Sequence, residues 1–215
     1  MKAKSFTYFL IISFSFSIAA CSSTAKLSSE SIHTSTKFQN KLPLKTAVYI
    51  PNELTNKKIK VTAASECNVW WKDPKVSIGN SYITAINNGL SSAIQSVNIL
   101  KSPPSETANM DKYDLLIAVE MLDENASISH NTGAFKTSLN SQFEVSFTLT
   151  FKKDGQTLYS STVNGSAFNK LREGCSKMAE SIKNSIGSAL VQLTNNIAQT
   201  THNSSQLSGI KSETE

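Results

Sequence analysis

The sequence is poor in the residues on which phosphate- and metal-binding proteins rely. Of its 21 basic residues only Arg172 is an arginine, so the bidentate recognition of phosphate that guanidinium groups supply is nearly absent. His33, His130 and His202 lie far apart, and none stands at ligand spacing from a cysteine or carboxylate, so no metal site is expected. The 8 glycines form neither a Gly-x-x-x-x-Gly-Lys loop nor a Gly-x-Gly-x-x-Gly turn, which removes the usual nucleotide cradles. A Gly-x-Ser-x-Gly elbow is missing too. Asp123-Glu124 stands at a strand end and reads as a solvated turn rather than an acid–base pair. No catalytic residue and no cofactor is expected, and the chain reads as non-enzymatic. Nor does the N-terminal apolar run, Phe6 to Ala20, reach the ~20 residues that a permanent membrane-crossing helix needs.

That run has instead the form of a secretory signal. Lys2 and Lys4 precede it, and it ends in Ile18-Ala19-Ala20-Cys21. A branched apolar residue, two small residues and a cysteine resemble the lipobox of bacterial lipoproteins. The resemblance implies that residues 1–20 are a signal peptide cut before Cys21. It also implies that the Cys21 thiol carries a diacylglycerol and the new amino terminus an acyl chain such as palmitate. Several acyl chains hold a protein to a bilayer far more firmly than one. Ser22 and Ser23 follow where retention at the inner membrane uses an aspartate, so in a Gram-negative cell the resemblance implies the outer membrane, facing the periplasm.

Downstream, residues 21–41 are rich in Ser, Thr and Lys without a sustained period, and read as the lipidated cysteine and a flexible tether. Residues 200–215 read as a disordered tail, leaving a single domain at 42–199. Within it, Thr46–Ile50 predicts a strand that ends at Pro51, and Lys57–Thr62 a second short one. Tyr82, Ile83, Ile86, Leu90, Ala93, Ile94 and Val97 recur at helical spacing over 80–97, and a close packing contact would account for Gly89 inside it. Tyr113–Leu122 predicts a buried strand, and Phe143–Phe151 alternates strictly between apolar and polar. Asp154-Gly155 marks a hairpin turn into 157–167. A continuous stripe from Cys175 to Ile197 predicts a long final helix. This order predicts an α+β two-layer sandwich, a mostly antiparallel sheet with two helices on one face.

With Cys21 acylated, Cys67 and Cys175 remain as an even pair in an oxidising compartment, and a disulfide between them is expected. Trp70 and Trp71 are adjacent, and neighbours on an extended segment point to opposite sides. One of them is expected to be exposed as a partner contact, unless the loop curls so that both pack beside the disulfide. The lipobox, the serine-rich segment and the strand–helix–strands–helix order are similar to small outer-membrane lipoproteins of envelope assembly. In layout the chain resembles the lipoprotein subunit of the lipopolysaccharide translocon. The resemblance implies an accessory protein, held to the membrane by its anchor, that binds another envelope protein; the single arginine argues separately against a nucleic-acid partner. The alternative is a lipid or glycan carrier with a cavity lined by Phe143, Phe147, Tyr82 or Ile86.

Overall fold

Phe143, Val145, Phe147, Leu149 and Phe151 are all buried while the residues between them are not, and this period of two organises the fold. The structure, a computed structural model, describes residues 24–26, 32–67, 71–106, 110–132 and 137–210. The signal segment, Cys21 and Trp70 lie outside the described residues. In chain order the elements are β1 (Thr24–Lys26), β2 (Leu42–Tyr49), α1 (Asn52–Thr55), β3 (Lys58–Lys60), β4 (Thr62–Ala63), β5 (Lys75–Ser77), α2 (Gly79–Ala93), β6 (Ile94–Leu100), β7 (Leu115–Thr132), β8 (Thr137–Lys153), β9 (Gln156–Leu171), α3 (Met178–His202) and α4 (Ser205–Ser208).

The main sheet runs β6-β2-β7-β8-β9. Its long half, β7-β8-β9, is antiparallel, and β8 pairs with both neighbours along nearly its whole length. Asp154 and Gly155 both take positive φ, 51° and 77°, as the tight turn from β8 to β9 requires. The other half is parallel: β2 pairs with β6 on one side and β7 on the other, with α2 crossing over from β2 to β6. A small separate sheet, β1-β5-β3, lies beside it.

Both long helices cover one face. α3 packs on β8 and β9, and α2 packs on α3 and β6. Glycines set the close approaches. A Cβ on Gly89 would meet the Ile197 side chain at 2.8 Å, and one on Gly165 of β9 would meet the Ala189 carbonyl oxygen of α3 at 2.1 Å. The fold is thus α+β, as expected from the sequence.

Several boundaries differ from expectation. The helix predicted to Val97 ends at Ala93, and the chain passes directly into strand β6. The strand predicted to end at Leu122 continues to Thr132 through a register shift between Met121 and Asp123. The predicted tether is packed over 32–41. Ile32 is fully buried, and its carbonyl accepts from the Asn88 side chain. Asn195 Oδ1 accepts hydrogen bonds from Thr34 Oγ1 and the Ser35 amide. Phe38 stacks on His202 at 3.7 Å. The predicted disordered tail is likewise ordered to residue 210, with α3 running to His202 and Leu207 of α4 buried. Polar composition hid this, because hydrogen bonds rather than apolar burial hold much of the N-terminal segment.

Candidate functional site

Three side chains from distant parts of the chain converge where β7 meets the start of α3. β4 pairs with β7 through Thr62–Ser127 and Ala63–Ile128, and the Ala64 amide donates to the Ile128 carbonyl. The chain then turns through a short 3-10 helix, Ser65–Cys67, which carries Cys67 to the far end of β7. His130 lies two residues beyond Ile128 on the same face of that strand. From the other side, β9 ends at Leu171 and the chain enters a second 3-10 turn at Cys175–Lys177, just before α3. Cys67 and Cys175 form a disulfide with Cα atoms 5.2 Å apart, as the cysteine count suggested.

His130 is the unexpected member. Its imidazole and the two cysteine sulfurs offer three ligand atoms that all lie within 4.8 Å of one another. The expectation of no metal site rested on sequence spacing alone, and the β7 ladder supplies a proximity that this spacing does not show. Both His130 ring nitrogens are shielded from solvent, and neither has a hydrogen-bond partner among the described residues. An imidazole so placed loses hydration without recovering it from the protein. As a donor set, two sulfurs and one imidazole suit a thiophilic cation once the bridge is open.

Trp71 is only 4% exposed and belongs to the core; its amide donates to the Cys67 carbonyl. Of the two tryptophans it is thus covered, not offered to a partner. Two residues on, Asp73 takes a φ of 46°.

Asp123-Glu124 is not a solvated turn. Glu124 Oε2 accepts from the Tyr82 hydroxyl at 3.0 Å, and its other oxygen meets Lys57 Nζ at 2.7 Å. Burial, and then the Glu124 charge, raise the Tyr82 phenol far above its ordinary pKa. Glu124 is thereby tied on both oxygens.

Elsewhere, a cleft of about 590 Å³ opens at one end of the main sheet, lined among others by Lys45, Tyr113, Asp114, Lys152 and Lys153. Asp114 is engaged there, accepting from the Lys45 amide at 2.7 Å. Leu122 and Phe168 are large apolar side chains left exposed, at 55% and 63%. Phe168 stands on β9 opposite Gln142 of β8, on the face away from the helices. Among the described residues, no helix is long and apolar enough to cross a membrane.

No protein-family model matches the chain, and no curated protein matches it. Some solved structures are similar to it at low identity. The chain is similar to a DUF330 protein from Xanthomonas campestris, with a TM-score of 0.48 and 9% identity over 83% of this chain and 94% of that one. It is similar to a candidate neuraminyllactose-binding hemagglutinin homologue from Helicobacter pylori, with a TM-score of 0.44 and 15% identity over 85% and 94%. A minor lipoprotein from Acinetobacter baumannii gives a TM-score of 0.37 and 9% identity over 74% and 90%. At TM-scores below 0.5 these likenesses assign the chain to no family.

Proposed function

We propose that the protein is a lipid-anchored, non-enzymatic accessory lipoprotein of the bacterial envelope, held at the outer membrane by Cys21 and acting by binding another envelope protein. The observation that carries this reading is Ile18-Ala19-Ala20-Cys21, standing at the end of an apolar run that lysines precede. The small sheet adds physical support. Lys58 and Lys60 of β3 and Lys75 of β5 are all exposed, while Ile59 and Val76 between them are buried. Lys60 and Lys75 stand directly opposite each other, a like-charge pair that costs stability unless an anion meets it. Thr24 of β1 pairs with that same Lys75 and lies three residues after Cys21. An acyl anchor would therefore bring these lysines to anionic headgroups.

A carrier role has less support. Tyr82, Ile86, Phe143 and Phe147 are fully buried, and Tyr82 packs edge-on against Phe147 at 5.2 Å where a ligand would have to sit.

Mass spectrometry of the mature protein should find an acylated Cys21 as the first residue; an uncleaved or unacylated chain would remove the anchor. A photoreactive residue replacing the exposed Phe168 should then capture one envelope protein in intact cells, with capture lost in Cys21→Ser. Capture of lipid or glycan instead would favour the carrier.

A further inference from the structure

We propose that the Cys67–Cys175 bridge and a bound thiophilic cation are alternative occupants of one site. When the bridge is reduced, Cys67, Cys175 and His130 hold a single Zn²⁺ through two thiolates and an imidazole. The inference is independent of the lipid anchor.

The spacing of the donors suits a metal. With ligand bonds of about 2.0–2.3 Å, a tetrahedral zinc site spaces its ligand atoms ~3.3–3.8 Å apart. The three donor atoms already lie within 4.8 Å of one another. Opening the bridge lets the two sulfurs separate toward that spacing, so the rearrangement is one of side chains. Three protein ligands leave the fourth position for water or an outside ligand.

His130 points the same way. In the bridged state both ring nitrogens are buried without a partner among the described residues. A disulfide has no proton to donate and little power to accept one, so the oxidised site offers this imidazole nothing. An apolar side chain would serve a purely structural bridge better. A cation held by the two thiolates gives the ring a partner, and the mixed sulfur–imidazole set matches Zn²⁺ or Cu⁺ rather than a hard cation.

To open the site, an external dithiol breaks the Sγ–Sγ bond, supplying two electrons and two protons and leaving as its own disulfide. The Cys67 and Cys175 thiols then each release a proton to solvent as the cation binds. A newly made chain, whose cysteines are not yet bridged, enters the same state with no reductant.

Cobalt is the probe, because Co²⁺ reports sulfur ligation in its absorption spectrum. The full chain in detergent is reduced with a phosphine, freed of reductant without air, and titrated with Co²⁺. The expected result is a thiolate-to-cobalt band and tetrahedral d–d bands that saturate at one Co²⁺ per chain and disappear on adding Zn²⁺. The unreduced chain and a Cys67→Ser/Cys175→Ser double variant should show neither band. His130→Ala should bind Co²⁺ at least tenfold more weakly. Zinc should also slow the return of the bridge in air severalfold. Circular dichroism separates a folded site from scavenging by loose thiols: native-like spectra with metal bound support the proposal, and metal bound to an unfolded chain overturns it. A reduced chain that binds Co²⁺ no better than the double variant overturns it, as does a His130→Ala affinity within twofold of the unsubstituted protein.

Discussion

A Cβ on Gly165 would lie 2.1 Å from the Ala189 carbonyl oxygen, a backbone atom that cannot swing aside. Gly165→Ala should therefore push α3 off the sheet and lower stability by roughly 1–3 kcal/mol in urea unfolding. A Cβ on Gly187, within that same helix, would have no atom within 4 Å. Gly187→Ala should raise stability by up to about 1 kcal/mol through helix propensity alone. The pair isolates packing from propensity, since both changes add one methyl group. Tyr82 bears on pH. Its raised pKa means the folded chain keeps a proton that the unfolded chain releases above about pH 10. Stability is intact below that pH and should fall by about 1.4 kcal/mol per pH unit above it for this one group. Urea unfolding should lose about 1.4 kcal/mol in all between pH 9 and 11 through this group, and Tyr82→Phe should remove that loss.

Between elements, the disulfide joins the turn after β4 to the start of α3 across a sequence separation of 108 residues. Closing so long a loop limits the unfolded chain, an effect of about 4–5 kcal/mol on chain-entropy grounds. Reduction, or the double serine variant, should lower unfolding stability by up to that amount, read from chemical denaturation midpoints. The N-terminal segment depends on Asn195, whose Oδ1 collects hydrogen bonds from Thr34 and Ser35. Asn195→Ala should speed amide exchange over 32–41 while leaving exchange in β8 unchanged. These elements also mark where the sequence was legible. Strand β8 and helix α3 each keep one unbroken period, and both emerged where that period placed them. Strand β7 does not. The register shift near Met121 moves the following residues by one, so Asp123 and Glu124 break the alternation and mimic a turn. Ile94 and Val97 satisfy the helical spacing of α2 as well as the strand they actually form, and apolar spacing alone could not separate the two.

Across the protein as a whole, the bridge was legible because an even pair of cysteines, in the oxidising compartment that the signal segment leads one to expect, has few other fates. His130 was not, because its place beside them depends on the length of β7 and on β4 pairing with it. The pairing of Thr24–Lys26 with β5 was equally hidden, since a three-residue strand leaves no periodic trace. That pairing has a consequence for life at a membrane. If Cys21 is acylated as proposed, only Ser22 and Ser23 separate the lipidated residue from a fixed point on the domain, a leash of at most ~10 Å. Inserting a Gly/Ser stretch of about ten residues, roughly 18 Å of added reach, between Ser23 and Thr24 should leave acylation intact yet cut crosslinking from Phe168 severalfold. A domain moored that closely has a keel and a deck. Anchored as proposed, it would drift across the bilayer and spin about its normal without rolling over. Substitutions at Lys58, Lys60 and Lys75 would then alter its trim, and substitutions on the opposite side would alter whom it meets.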